Sequence, residues 1–253
     1  MKVSGLLRHI DTFAPFSIAE DWDNSGLLVG SYDAEVDRIA VTLDAVTEAV
    51  ILAREKDCNV LVCHHPIIFR PVKNILDDNE QGRTIREALK RNVNIIAVHT
   101  NWDKTQGGVN DTLAALIGLN NTEPLDAFGV RGIFSPKMTL QKFSKHVKNS
   151  WGLSHLDVYT NRQPEKISRV SICGGSGGEF WRSAKAKGSD IFITADMKYH
   201  DISDAVNDGL TLAICDHGEM ERASIPALAG KIEGCGIGTV IIETRALPTI
   251  TRI

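Results

Sequence analysis

Four histidines stand where buried strands of the chain are predicted to end. They are His64, His65, His99 and His217. In open α/β sheets, ligands bind outside the carboxyl ends of parallel strands, so residues far apart in sequence can meet there. A lone histidine at such a position is more often a hydrogen-bonded core residue. The adjacent pair carries more weight, because neighbours on a strand face opposite ways and Pro66 ends the strand geometry, which lets both rings reach one site.

Two short motifs add carboxylates to this set. In HTNWD, residues 99–103, Asp103 could supply an oxygen ligand, with His99 as a ligand or as the residue that orients one; Asp103 could equally form a turn or cap a helix. In DHGEME, residues 216–221, His217 and Glu221 are four residues apart at a predicted helix start and so share one face. The alternative there is a surface hydrogen bond, or a helix start capped by Asp216.

Together these positions predict a metal site made of His64, His65, Asp103, His217 and Glu221. Three imidazoles and two carboxylates are more than one tetrahedral ion uses, and they suit zinc, manganese, iron, cobalt or nickel better than calcium. We therefore expect two divalent ions per subunit. Two ions about 3.5–4 Å apart lower the pKa of a shared water to about 7, so the chemistry they indicate is hydrolysis.

The elements that would position these residues alternate between strand and helix. Runs rich in β-branched residues at 38–45, 59–65 and 94–99 are separated by helical patterns, and a similar series follows residue 165, with one helix over 219–232 and a strand over 239–246. We expect an α/β fold with two similar lobes, mostly parallel sheets, and the metal site at strand ends in the cleft between them. The predicted lobes are 1–125, with 230–253 packing onto it, and 126–253, including a small α+β segment at 126–165.

Composition limits the classes of partner. The chain has 253 residues, 43% hydrophobic and 24% charged, with 28 Lys+Arg against 32 Asp+Glu and a net charge of −4. This balance gives no general attraction to nucleic acid or anionic membranes. No apolar run approaches the roughly 20 residues that span a bilayer. The five cysteines are widely spaced without a CxxC, which favours reduced core thiols and a cytoplasmic location.

Several separated motifs resemble the Nif-three-like family, whose members are called GTP cyclohydrolase I type 2 homologs. They are EDWDNSGLLVG, LVCHHP, VHTNWD with the following GGVND, TADMKYHD and DHGEMER, in the same order over nearly the whole chain. The resemblance implies a dinuclear-metal α/β protein whose ligands fall on His64, His65, Asp103, His217 and Glu221, with Glu221 as the bridging carboxylate. It also implies a toroidal homohexamer, a trimer of dimers, built from the short type of chain without an extra domain between the lobes.

The resemblance also places two further segments beside the metals. In TADMKYHD it makes His200 the candidate for catalytic proton transfer, although a surface histidine paired with Asp201 or Asp204 is an equal alternative. It places the loop at Trp22–Asn24 near the site, where turn formation and packing are its plainest roles. The run GGSGG at 174–178 is favoured as a tight strand-to-helix turn over a phosphate-binding loop.

The function predicted from the sequence is that of a metal-dependent hydrolase. It would act on a small phosphorylated or nucleotide-like substrate by metal-activated water. The alternative is a non-catalytic, metal-dependent binding or regulatory protein for a protein partner or single-stranded nucleic acid. A water or open position in the metal coordination shell would favour catalysis, and closed shells would favour the alternative.

Overall fold

The computed structural model describes residues 1–162 and 164–244. These residues form two compact units, each an α/β structure with its own sheet. The first unit is Met1–Thr105 with the described residues from Ile225 onward, and the second is Gln106–Ser224. The predicted α/β class with two lobes is confirmed.

The first unit has a five-stranded sheet in the order β1-β4-β3-β2-β11, in which only β1 is antiparallel to its neighbour. Its strands are β1 Gly26–Val29, β2 Ile39–Asp44, β3 Val60–His65, β4 Asn94–Ala97 and β11 Thr239–Ile241. Its helices are α1 Val3–Phe13, α2 Thr47–Glu55, α3 Glu80–Lys90, α4 Thr100–Lys104 and α10 Ile225–Glu233.

The central strands of this sheet are buried on both faces. Apolar residues of α2 and α3 pack with strand residues in one core cluster, and α10 contacts β2 beside α1. Strands covered in this way read as continuous apolar runs, which is why β2, β3 and β4 were recognisable in the sequence. Because β2 and β3 are parallel and in register, Asp44 lies directly beside His65 at the carboxyl end of the sheet.

The second unit has a six-stranded sheet in the order β5-β6-β8-β9-β10-β7. Its strands are β5 Leu119–Pro124, β6 Val130–Met138, β7 Asp157–Tyr159, β8 Ile167–Ile172, β9 Ile191–Thr194 and β10 Thr211–Ile214. Its helices are α5 Val109–Leu116, α6 Leu140–Trp151, α7 Trp181–Ala186, α8 Tyr199–Asn207 and α9 His217–Arg222. The three central strands are parallel and the outer pairings are antiparallel.

The carboxyl ends of these parallel strands again carry polar loops. The glycine-rich run 174–178 follows β8, Asp196 follows β9, and His217 begins the helix that follows β10. Aromatic and aliphatic residues of α7 and α8 pack against one face of the sheet, while α5 contacts β6, β8 and α6. The sheet therefore brings three separate loops to one edge of the second unit.

Two features of the chain differ from the pattern expected. The predicted helix over 219–232 is two helices, α9 and α10, because Pro226 lacks an N–H and its ring would collide with the carbonyl of Arg222 in a continuous helix. The units divide at 105/106 and 224/225, whereas the sequence placed one boundary at 125/126. Residues 106–125 lie in the second unit, where β5 pairs with β6.

The chain's last segment is partly described. α10 and β11 lie in the first unit, where β11 extends the sheet beside β2. Residues 245 and 246 of the predicted strand lie outside the described residues. Among the described helices, none has the length and apolar character needed to cross a membrane.

Candidate metal centre

Three imidazoles come together in the first unit. The ring centroids of His64 and His65 are 4.9 Å apart, and that of His99 is 5.2 Å from His64 and 5.8 Å from His65. One ring nitrogen of each lies within 4.8 Å of the others. His64 and His65 are the last residues of β3, directly before Pro66, and His99 immediately precedes α4.

Each of these rings is oriented by an oxygen atom. The bonds run from His64 Nδ1 to the carbonyl of Val98 at 2.9 Å, from His65 Nδ1 to Asp44 Oδ1 at 2.7 Å and from His99 Nδ1 to Asp23 Oδ1 at 2.7 Å. A carbonyl and an ionised carboxylate only accept, so Nδ1 carries the proton in all three rings. In a neutral ring the lone pair is then on Nε2, the tautomer that metal-binding histidines adopt when a second residue holds the other nitrogen.

Asp103 adds an oxygen atom to this group. It lies on α4, in the turn that follows His99, and its Oδ1 is 3.6 Å from His64 Nε2. With metal–ligand bonds of about 2.1 Å, two ligands of one ion are separated by roughly 3–3.5 Å. The 3.6 Å between His64 and Asp103 is close to this separation, so a small adjustment would let both bind one cation.

The buried carboxylate of Asp23 is a site residue whose role the sequence did not reveal. It accepts hydrogen bonds from His99 Nδ1, from the backbone N–H and hydroxyl of Thr100, from the N–H of Asn24 and from the hydroxyl of Ser25. Burial opposes its ionisation, but hydrogen bonds from His99 and Thr100 outweigh burial and hold the pKa of Asp23 well below its usual value. Asp23 therefore stays ionised and keeps the His99 ring in one orientation.

A second group of ligand-type residues lies in the second unit. His217 and Glu221 occupy successive turns of α9, and His217 Nε2 is 2.9 Å from Glu221 Oε2. The side chain of Asp216 caps this helix by accepting from the N–H of Glu219 at 2.9 Å. Glu221 is buried, although glutamate is almost never fully buried without a partner. The cap alternative for Asp216 and the pairing of His217 with Glu221 are thus both present.

His217 is oriented in the same manner as the first three rings. Its Nδ1 is 2.8 Å from Asp196 Oδ2, which also accepts from the Ser176 hydroxyl. Burial opposes the ionisation of Asp196, but the hydrogen bonds from His217 and Ser176 lower its pKa. With the proton on Nδ1, the Nε2 lone pair of a neutral ring faces the Glu221 carboxylate. Two such electron-rich atoms at 2.9 Å require a proton or a cation between them, so the pair can share a proton or help to hold a metal ion.

The glycine-rich run after β8 packs against this pair. Gly175 has φ of +65°, and a Cβ atom there would lie 2.3 Å from Glu221 Oε1 and 3.1 Å from His217 Nε2. The N–H of Gly177 donates to the Gly175 carbonyl and to the Thr194 hydroxyl, and the N–H of Gly174 donates to Asn110 Oδ1. These bonds form a tight strand-to-helix turn, whose missing side chain at Gly175 leaves room for Glu221.

The structure groups the predicted site residues by unit. His64, His65 and Asp103 lie together in the first unit with His99, and His217 lies with Glu221 in the second. His200 is an exposed residue of α8 whose ring contacts Tyr199, and no metal-competent group found among the described residues includes it. Its role in proton transfer stays a prediction.

Comparison with models of known protein families identifies the family of this chain. The model of the Duf34/NIF3 family (NGG1p interacting factor 3) matches residues 1–248. The chain belongs to the Duf34/NIF3 family. This match confirms the resemblance seen in the sequence motifs. The histidine and carboxylate groups described above are of a kind that can hold a metal ion.

The similarity extends over whole relatives. The chain is 32% identical to a protein of Clostridium acetobutylicum named GTP cyclohydrolase 1 type 2 homolog, covering 97% of this chain and 96% of that protein. It is 33% identical to a Lactococcus lactis protein of the same name, with the same two coverages. A Bacillus cereus protein related to NIF3 has the same fold, with a TM-score of 0.93 at 22% identity over 100% of this chain and 99% of the other.

The space beside Gly175 generates one prediction. Gly175→Ala should weaken metal binding by about 10-fold or more, the scale seen when a group that orients a ligand is lost, because the new methyl group displaces the Glu221 carboxylate. Gly152→Ala is the matched control, since Gly152 has φ of +69° with no neighbouring atom within 4 Å of an added Cβ. Both variants should lose about 1–2 kcal/mol of stability from the left-handed backbone. Equal metal affinity in the two variants would contradict the assignment.

The buried Asp23 generates a second prediction. In Asp23→Asn the carboxamide has one acceptor oxygen and an NH₂ group that opposes the donors around it, so His99 loses its fixed orientation. Because the His99 ring packs against the rings of His64 and His65, these ligands lose support, and metal affinity should fall by about 10-fold or more, the scale seen when a residue that orients a metal ligand is removed. A competition titration against a chromophoric chelator, run well below the melting temperature, measures this. Asp33→Asn, at an exposed position paired with Lys2, is the control, and an Asp23→Asn affinity equal to that of the control would refute the role.

Proposed function

We propose that the chain is a metal-dependent hydrolase whose two groups of ligand residues together hold two divalent ions. His64, His65, Asp103 and His217 would bind the ions and Glu221 would bridge them. The observation that supports this most is that all three proposed imidazole ligands, and His99 beside them, have Nδ1 held by an oxygen acceptor. Core histidines satisfy their hydrogen bonds in many ways, and this shared pattern suits a set of Nε2 ligands.

The composition of the ligand set indicates which ions would bind. Imidazole and carboxylate ligands suit zinc, manganese, iron, cobalt and nickel, whereas calcium prefers oxygen ligands throughout. Neither group of residues alone offers the ligands that two ions need. The first has three imidazoles and Asp103, and the second has His217 and the buried Glu221.

Bound divalent ions of this kind lower the pKa of water and supply a nucleophile for hydrolysis at neutral pH. The residues of this chain supply the rest of the site. Asp44 and Asp196 hold the imidazoles of His65 and His217 in place, and Asp23 holds the neighbouring His99 ring, which fixes the positions of the ligand atoms before substrate arrives. The substrate we propose is a small phosphorylated or nucleotide-like molecule, and His200 is the residue proposed to move a proton.

The proposal also covers the oligomeric state and the class of substrate. We expect the chain to assemble as a homohexamer, a trimer of dimers. The names of its relatives, GTP cyclohydrolase 1 type 2 homolog, support a nucleotide-like substrate without specifying the reaction of this chain.

Metal analysis and a hydrolase screen test the proposal together. Protein purified without chelator should hold two divalent ions per chain, and Glu221→Gln should lower that number. Glu219→Gln, on the same helix, should not, because Glu219 is bonded to Ser154. Nucleotides, phosphoesters and cyclic amides should then be screened with manganese, iron or zinc, and any turnover should be lost in His65→Ala.

The outcomes separate the proposal from its alternative. Trace metal in the purified chain, with equal content in Glu221→Gln and Glu219→Gln, would refute the metal centre. Two bound ions with closed coordination shells and no turnover in the screen would refute the hydrolase and favour a metal-dependent binding or regulatory protein.

A further inference from the structure

Two large aromatic side chains are exposed next to the imidazoles of the first unit. Trp22 is 58% exposed and Phe69 is 44% exposed. The other three tryptophans of the chain are all buried. An aromatic residue of this size usually contributes its area to a core or an interface, so a largely exposed tryptophan beside a candidate metal site points to a ligand.

The two side chains form a continuous surface with His99. The ring centroids of Trp22 and Phe69 are 5.8 Å apart in an edge-to-face arrangement. Each ring also meets the His99 ring edge-to-face, with centroid distances of 6.4 Å from Trp22 and 6.0 Å from Phe69. We call these two residues, Trp22 and Phe69, the aromatic platform. Since His99 contacts His64 and His65, the platform is one ring away from the candidate ligands.

Hydrogen bonds fix the backbone on both sides of the platform. Asp23, next to Trp22, is held by His99 and Thr100, as described above. The Asn24 side-chain amide donates to the carbonyl of Ile68 at 2.5 Å, which ties the loop of Trp22 to the segment of Phe69. Because both segments are fixed to each other and to His99, little ordering entropy is lost when a ligand settles on the platform.

We propose that the aromatic platform binds a planar heteroaromatic ring of the substrate by stacking. This deepens the proposed hydrolase function and rests on it. Aromatic side chains stack on nucleobase-like rings of any type, because every such ring has a π face. A ring stacked there would lie beside His99, next to the imidazoles where hydrolysis is proposed.

The position of the platform selects a neutral ring over a cation. Tryptophan also attracts ammonium groups through its π face. An ammonium group on Trp22 would, however, lie only one ring away from the divalent ions proposed at His64 and His65, and like charges repel. A neutral planar ring avoids that repulsion while using the same face.

Fluorescence of Trp22 gives a direct test on the full, metal-loaded chain. Trp22 is the exposed tryptophan, so acrylamide should quench its emission selectively. Guanosine, adenosine and uridine 5′-monophosphates and nicotinamide serve as ring probes, with absorbance correction. We expect at least one of them to protect Trp22 from acrylamide. Ribose 5-phosphate, which lacks the ring, and tetramethylammonium, which is a cation, should not protect it.

Variants assign the effect to the platform. Calorimetric affinity for the protecting probe should fall about 10-fold or more in Trp22→Ala, and also fall in Phe69→Ala, as expected for loss of base stacking. Tyr32→Ala removes another exposed aromatic side chain of the first unit and should leave affinity unchanged. Metal content should be the same in all three variants, because none of these residues is a proposed ligand.

The outcomes distinguish this inference from the proposed function. The platform is refuted if no ring probe protects Trp22, if tetramethylammonium protects it as well as the rings do, or if Trp22→Ala binds the probe as tightly as Tyr32→Ala. It is also refuted if dilution exposes Trp22 to acrylamide, since a second copy of the chain would then be the occupant. Absence of metal with retained ring binding would instead refute the hydrolase and leave the platform standing.

Discussion

The hydrogen bond from imidazole Nδ1 to an oxygen acceptor is the interaction on which the candidate site depends. It recurs in both units, with a backbone carbonyl as acceptor for His64 and carboxylates for His65, His99 and His217. The bond selects a tautomer and an orientation together. It thereby turns four polar side chains at strand ends, which could each be ordinary core residues, into a set of Nε2 atoms suited to metal binding.

The parallel sheet supplies the acceptors as well as the ligands. Asp44 ends β2 and lies beside His65 at the end of β3, so the strand register itself forms that bond. Asp196 follows β9 in the second unit and meets His217 at the helix after β10. These hydrogen bonds offset the cost of burying polar side chains such as His64, which would be strongly destabilising if unpaired. The same strands can therefore fill the core with their apolar residues and carry the site residues at their carboxyl ends.

The sequence predicted the residues whose roles follow from local pattern. His64 and His65 stand before a proline at the end of an apolar run, and the spacing of His217 and Glu221 fits one helix face. The local sequence indicates only a turn at Asp23, because its hydrogen-bond partner His99 is 76 positions away. The role of Gly175 likewise depends on a close approach to Glu221 that no local pattern encodes. The division of the chain depends on the pairing of β5 with β6, and β5 is mostly polar and exposed, so no apolar pattern marks it as a strand.

Anomalous diffraction from crystals of the chain loaded with manganese or zinc tests the central claim most directly. The proposed centre predicts two anomalous peaks about 3.5–4 Å apart, the separation of paired catalytic ions, with the Glu221 carboxylate between them and imidazole Nε2 atoms around them. A single peak, or peaks that the His64 and His65 rings and the Glu221 carboxylate do not share, would contradict it.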